Sequence, residues 1–381
     1  MLEKKHLEFR EKVRAFALEQ IEPAATRLDL EQKFLAEHIQ PMADLGLMSM
    51  LIPEEYGGAK VDTICYSIAV EELSRVCGST GITIAAHNSL GTYPVIAFGT
   101  EEQKKKYLPR AAAGGLMAFG LTEPDAGSDA GGTRSYARKE GDHWIINGTK
   151  CFITSASHSF ASVNTAKTTD DPKDTAITSF IMEKDWDGYS IGKKENKLGL
   201  RASDTASMHF DDVKVPVENQ LGEVGHGFKQ MLNTLDGGRI SIGAMAVGLA
   251  QGALDCALKY ASQRVQFGKP IGYHQAVGHT LADMATEIEA ARLIVYEASR
   301  MKDMGGRFSR HSAMCKLFAS EVGTRCAFKA IGVLGGVGCL TGAYPAERIW
   351  RDVKLCEIGE GTSEIQRLVI ARDLLQSVKG K

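Results

Sequence analysis

The hydrophobic period of this chain changes twice, and that change limits the folds open to it. Up to about residue 115 apolar residues recur at helical spacing, as in Leu7, Val13, Phe16, Ala17 and Ile21. Pro23 is expected to end or kink that first element. Leu51–Gly58 reads as a loop from its Pro53 and its Gly57-Gly58 pair. Helices are expected over Thr63–Cys77, Thr80–Phe98 and Glu101–Leu108. From residue 116 the pattern shortens to strand-like runs: Leu116–Leu121, Thr178–Met182, Tyr189–Ile191 and Ala206–Phe210. Trp144–Thr154 reads as two strands around an Asn147-Gly148 turn. Beyond Gly225 and Gly227 the helical period returns over 238–267, 273–304 and 309–333. Leu281, Met284, Ile288, Ala291 and Val295 make one apolar stripe of the kind that packs helix on helix. The expected class is α+β, with a helical domain (1–115), a β domain (116–225) and an antiparallel helical bundle (226–381).

Composition narrows the function classes. The chain has 381 residues, is 44% hydrophobic and carries a net charge of −2. Its charges are interleaved, and the short clusters Lys104-Lys105-Lys106 and Lys193-Lys194 are no nucleic-acid surface. No run approaches the roughly 18 uninterrupted apolar residues of a membrane span. The N-terminus opens an amphipathic helix without a signal-peptide core. Eight scattered cysteines form no C-x-x-C pair, so reduced buried thiols are expected, with no metal site. No strand leads into G-x-G-x-x-G, and there is no P-loop.

The chemistry concentrates near the C-terminus, in Arg351–Arg367. Glu360 lies between Gly359 and Gly361, just before a helix that continues through Ile365, Leu368, Val369 and Leu374. Ser363 and Gln366 have capping-box spacing. A carboxylate in such a turn can take a proton from carbon if its pocket excludes water and raises its pKa. Three other segments stand out: Leu121–Asp129, Phe152-Ile153-Thr154, and Arg264–Pro270 between two long helices. Ser155–Lys167 is unusually polar for a strand and is expected at a sheet edge or in a loop. His158 is read as an exposed loop residue.

These segments share an order and spacing that resemble the acyl-CoA dehydrogenase family of FAD-dependent enzymes, of short, medium or branched-chain type. The matching motifs are L-T-E-P-D-A-G-S-D at 121–129, N-G-T-K-C-F-I-T at 147–154, L-G-L-R-A-S at 198–203 and L-D-G-G-R at 235–239. They continue with R-V-Q-F-G-K-P-I at 264–271, G-G-V-G at 335–338, Y-P-A-E-R-I-W-R-D at 344–352 and E-G-T-S-E-I-Q-R at 360–367. The resemblance implies a central β-barrel or sandwich domain and a C-terminal four-helix bundle, with FAD between them. It implies a homotetramer in which a neighbouring subunit completes each FAD site. Leu121, Thr122, Phe152 and Thr154 would contact the flavin ring, with Phe152 in place of the usual Trp. Ser128 would contact the FAD pyrophosphate and lie near the substrate. Arg264 and Phe267 would reach the neighbour's FAD, Gly335 and Gly336 would bind the cofactor, and Thr362 and Glu364 would lie near it. Asp236, Arg239, Gly359, Gly361 and Arg367 would bind the acyl-CoA. Glu360 would abstract the α-proton, flavin N5 would accept the β-hydride, and a trans-2-enoyl-CoA would result. The implied electron acceptor is an electron-transfer flavoprotein.

Two departures bear on this expectation. Gly332 stands where the family commonly has a Gln that reaches the neighbour's FAD. Gly359 stands where Tyr is common, beside the reacting carbons, which points to a branched, cyclic or aryl acyl group. The same site read in reverse would be an enoyl-CoA reductase, and a non-redox CoA-thioester lyase or binding protein is the other alternative. The expected compartment is a prokaryotic cytoplasm, or the mitochondrial matrix in a eukaryote.

Overall fold

The computed structural model describes residues 2–169 and 176–379. Lys4–Phe16 (α1) and Glu22–Glu31 (α2) are joined by a π-helical stretch, Ala17–Ile21. Pro23 lies in the first turn of α2, where a missing N–H leaves no bond unmade. The expected break is therefore a widened turn that the helix passes through. Ala36–Asp44 (α3), Thr63–Val76 (α4), Gly78–Ala86 (α5), Tyr93–Phe98 (α6) and Glu101–Ala112 (α7) complete this block. A second π-helical stretch, His87–Thr92, interrupts the single helix expected over Thr80–Phe98. His6 ties α1 to α4: its Nδ1 accepts from Glu3 N at 2.9 Å, and its Nε2 lies 3.0 Å from Asp62 Oδ2.

Eight strands follow: Leu116–Gly120 (β1), Tyr136–Glu140 (β2), His143–Thr154 (β3), Ser159–Lys167 (β4), Ile177–Glu183 (β5), Tyr189–Lys194 (β6), Thr205–Pro216 (β7) and Gln220–Leu221 (β8). The order is β6-β7-β3-β2-β4-β5-β8, with β1 beside β4. β2 and β4 meet only at Tyr136 and Lys167, so the sheet folds into two layers. Trp144 and Phe180 meet edge to face between the layers at 5.4 Å, within a core that includes Met208, Phe210 and Val215.

Two expectations fail here for local reasons. Asn147-Gly148 is not a hairpin turn, because β3 runs straight through it. The hairpin between β2 and β3 closes at Gly141-Asp142 instead, with Gly141 at φ +61°. Asn147 exchanges hydrogen bonds with Asp212 at 2.8 and 2.9 Å, and the pairing with β7 shifts between Ile146 and Gly148. Asn-Gly thus serves a β-bulge. Nor is most of Ser155–Lys167 an edge or a loop: 155–158 form a turn, but Ser159–Lys167 is β4 and lies between β1 and β5. Its polar side chains find partners inside, as where Ser162 Oγ meets Tyr189 Oη at 3.1 Å and Asn164 Nδ2 at 2.8 Å.

Gly227–Gln263 (α8), Gln275–Asp303 (α9), Ser309–Leu334 (α10), Ala346–Val353 (α11) and Ser363–Lys379 (α12) form the C-terminal part. α8 starts well before the expected residue 238, so Asp236–Arg239 lie inside a helix. It ends at Gln263, because the next residues form a small hairpin of Val265–Gln266 (β9) and Lys269–Pro270 (β10). By length and composition α8 is apolar enough to cross a membrane, but its apolar stretch is mostly buried within the protein. It is the central core helix. Tyr66 and Leu73 of α4 share one hydrophobic core with Ile240, Leu249, Met284, Ile288 and Val322.

Candidate active site

Glu360 and Gly361, just before α12, both adopt positive φ, +56° and +98°. For a glutamate this costs about 1–2 kcal/mol and needs support from outside the turn. Lys316 Nζ of α10 donates to Gly361 O at 2.7 Å. Gln366 Nε2 donates to the same oxygen at 2.8 Å and to Glu360 O at 3.2 Å. Both side chains are buried. The expected capping box is therefore absent. Thr362 Oγ1 accepts from Ile365 N at 3.3 Å, Ser363 Oγ is buried without a partner, and Gln366 is engaged by the turn it would have capped.

The carboxylate of Glu360 reaches α8. Its Oε2 is buried and has no hydrogen-bond partner among the described residues. It lies over Gly238, where an added Cβ would overlap that oxygen and sit 2.7 Å from Glu360 Cδ. Glycine at 238 is what leaves room for the carboxylate. Burial pushes the carboxyl up to about 7, against the pull of the Lys316 and Arg239 cations. A carboxyl group so tuned can hold a proton or release it near neutral pH. Gly238→Ala should leave stability nearly unchanged, since the displaced atoms end a flexible side chain. It should lower kcat about 10- to 100-fold by moving the carboxylate. Parent-like kcat in that variant would show that the position of Glu360 over Gly238 is unimportant.

Asp236 and Arg239 lie one turn apart on α8, with Arg239 Nη1 2.5 Å from Asp236 Oδ1. Ser309 Oγ also donates to Asp236. Burial raises the Asp236 carboxyl, and Ser309 and Arg239 oppose it. Arg239 Nε is buried and has no partner among the described residues.

A second cluster organises the segment 121–154. Lys150 of β3 is buried, with Nζ 2.6 Å from Glu123 Oε1 and 3.2 Å from Thr165 Oγ1. Glu123 also accepts from Arg134 N at 2.5 Å, from Ser135 N at 3.2 Å and from Thr133 Oγ1. Burial alone would raise Glu123, but Lys150 and these donors hold it well below the usual carboxylate range. Cys151 N donates to Thr122 O at 2.8 Å, which locks the 121–129 loop to β3. Leu121, Thr122 and Thr154 are half-buried there, and Ser128 is exposed. Phe152, at φ +59°, leaves 67% of its surface open.

The remaining expected residues are dispersed. Arg264 is exposed at the end of α8, and Phe267, at the tip of the β9–β10 hairpin, is 95% exposed. Gly335 and Gly336 are exposed at the end of α10, and Glu364 is exposed in the first turn of α12. Gly359 is half-buried against Leu355. Arg367 is paired with Glu321 at 2.6 Å on the outside, so it does not join the Glu360 cluster. His158 is exposed and stacks on Phe34 at 3.8 Å. The sequence suggested no role for Lys316, Gly238, Glu123 or Lys150, and for Gln366 only the capping role that it does not play. A lone lysine in the small apolar run Ala313–Ala319 was the available signal for Lys316.

Models of the acyl-CoA dehydrogenase N-terminal, middle and C-terminal domains match residues 3–115, 118–213 and 225–375. The chain belongs to the acyl-CoA dehydrogenase family and is a flavin-dependent oxidoreductase whose cofactor is FAD. It is 50% identical over 370 residues to the probable acyl-CoA dehydrogenase YngJ of Bacillus subtilis, covering 96% of this chain and 97% of that one. It is 45% identical to the mitochondrial short-chain specific acyl-CoA dehydrogenase of Mus musculus, over 98% of this chain and 91% of the other. The solved butyryl-CoA dehydrogenase of Megasphaera elsdenii superposes with a TM-score of 0.95 at 40% identity, covering 98% of this chain and 99% of that one. The residues present fit FAD. Phe152 offers an open aromatic face for a flat ring, and Thr122 and Thr154 offer hydroxyls on segments fixed by the Glu123–Lys150 pair.

Proposed function

We propose that this acyl-CoA dehydrogenase converts a short acyl-CoA thioester to its trans-2-enoyl-CoA with Glu360 as the base. The observation that carries this reading is the buried, unpartnered Oε2 of Glu360, aimed over Gly238 from a strained turn. Glu360 takes the α-proton on that oxygen. Its own backbone N–H donates to the thioester carbonyl, where one such donor is worth roughly 3 kcal/mol as enolate charge develops. FAD, when bound, supplies the acceptor for the β-hydrogen and its electron pair. Leu121, Thr122, Phe152 and Thr154 hold the ring, and Ser128 faces the pyrophosphate. Asp236 and Arg239 line the approach for CoA, and the electrons pass on to an electron-transfer flavoprotein. Arg264 and Phe267 serve a neighbour's FAD in a homotetramer, and Gly335 and Gly336 bind the cofactor. The open apolar surface of Val265, Phe267, Tyr273 and Phe328 supports that assembly.

The acyl group is short, in keeping with the short-chain and butyryl-CoA relatives, and Gly359 leaves room for a substituent at the α-carbon. A Cβ at 359 would meet Leu355 only at 3.5 Å, and the backbone there is not left-handed, so a side chain can start there without clash or backbone strain. Gly359→Tyr should therefore keep activity on butyryl-CoA. It should lower kcat/KM for α-methyl acyl-CoAs about tenfold or more, the range set by pocket contacts of this size. An unchanged ratio between the two substrates would remove Gly359 from the specificity determinants.

A further inference from the structure

Lys316 is a buried cation for which the reaction above gives no task. We propose that it is a positioning residue of that reaction, pinning the Glu360–Gly361 turn from α10 and holding a fixed positive charge beneath the base. The inference rests on the reading of Glu360 as the base.

Lys316 sits among Ala313, Cys315, Ala319 and Val322, which are buried. A lysine there is costly to desolvate unless its charge is used. Its hydrogen bond goes to Gly361 O at 2.7 Å, one residue past the base, in the strained part of the turn. Among the described residues it forms no close ion pair, so its field is not cancelled at contact. The groups around it come from several elements. Arg239 faces it from α8, Cys356 and Glu357 from the turn after α11, and Glu364 from α12. Tyr66 of α4 faces Glu360, and burial keeps its hydroxyl protonated. Among the described residues none of these groups is hydrogen-bonded to Glu360 or Gly361, whereas Lys316 is. Burial draws the Lys316 ammonium down to about 8, while Cys356, Glu360 and Glu357 hold it up and Arg239 adds to the fall. Gln366 grips the same carbonyl without charge, which separates the two tasks. Substrate that seals the pocket strips water from Glu360 and favours its protonated form. A fixed cation opposes that and keeps the carboxylate ready.

The test uses the FAD-loaded enzyme and acetyl-CoA, which has an α-hydrogen but no β-carbon and so cannot be oxidised. Exchange of the α-hydrogen in D2O, followed by NMR against pH, reads proton abstraction alone. The parent midpoint is expected at about 7. Lys316→Met should move it up by about one pH unit. Exchange would then be slower at every pH because the pinning bond is lost, with about a further tenfold loss below the shifted midpoint. Lys316→Arg should restore the parent midpoint. Gln366→Met should slow exchange at every pH without moving the midpoint. If Lys316→Met does not fold, Lys316→Gln carries the same expectation, since it keeps a donor but not the charge. An unmoved midpoint in the neutral variants would overturn the proposal. Glu360→Gln, run alongside, separates the failures: exchange that survives in it overturns the base assignment itself.

Discussion

Glu360→Gln should keep its FAD and its fold while turnover with any acyl-CoA falls at least about 10³-fold, the upper range for loss of a general base. The substitution preserves volume in a pocket where, among the described residues, Oε2 has no hydrogen-bond partner to lose. Only the capacity to take a proton disappears. In the parent the reactive form is the carboxylate, so kcat/KM should rise as pH passes about 7. The same group leaves a mark on stability. Its folded-state pKa is raised from 4.5, so protonation favours the folded state. That contribution is complete below 4.5 and is lost as pH rises through about 7. The neutral glutamine should therefore gain in relative melting temperature across that window and hold the gain above it. Near-parent turnover in the variant would end the case for Glu360 as base.

Lys150→Met should be the most destabilising single change in the sandwich, at about 3–5 kcal/mol, because it leaves Glu123 buried without its cation. Urea unfolding checks the magnitude. The loss should extend to the cofactor, since Glu123 follows Thr122 and Lys150 precedes Cys151, whose N–H bonds Thr122 O. FAD should leave on dialysis under conditions where the parent stays yellow. The double variant Lys150→Met with Glu123→Gln should recover much of the stability, because no unpaired charge remains. If the single and double variants were equally unstable, the pair would matter through packing and not through charge.

The alternation of helical and strand blocks was legible because each block is long and its apolar period persists over many residues. The segment holding Glu360 was legible because two glycines frame one carboxylate. What was not legible depends on distant partners or on competing local bonds. Lys150 meets Glu123 across 27 positions and Lys316 meets Gly361 across 45, and neither end carries a local signal of the other. Asn147-Gly148 looks like a turn from its dipeptide, but Asp212 engages the asparagine side chain and the strand continues. Ser363 and Gln366 have the spacing of a cap, yet the cap lies one residue earlier at Thr362, because Gln366 is needed to hold the base turn. Arg367, in the same motif, turns outward to Glu321. The buried polar strand Ser159–Lys167 was misread because its hydroxyls are satisfied by neighbours that sequence does not display.

The most direct measurement is an anaerobic titration of the oxidised holoenzyme with butyryl-CoA and with its α-methyl analogues, following the visible absorbance of the flavin. Bleaching by a short acyl-CoA, with enoyl-CoA formed in proportion to the FAD reduced, is the expected result. Intact flavin absorbance with every short and branched thioester, while CoA esters still bind, would contradict the proposed dehydrogenation.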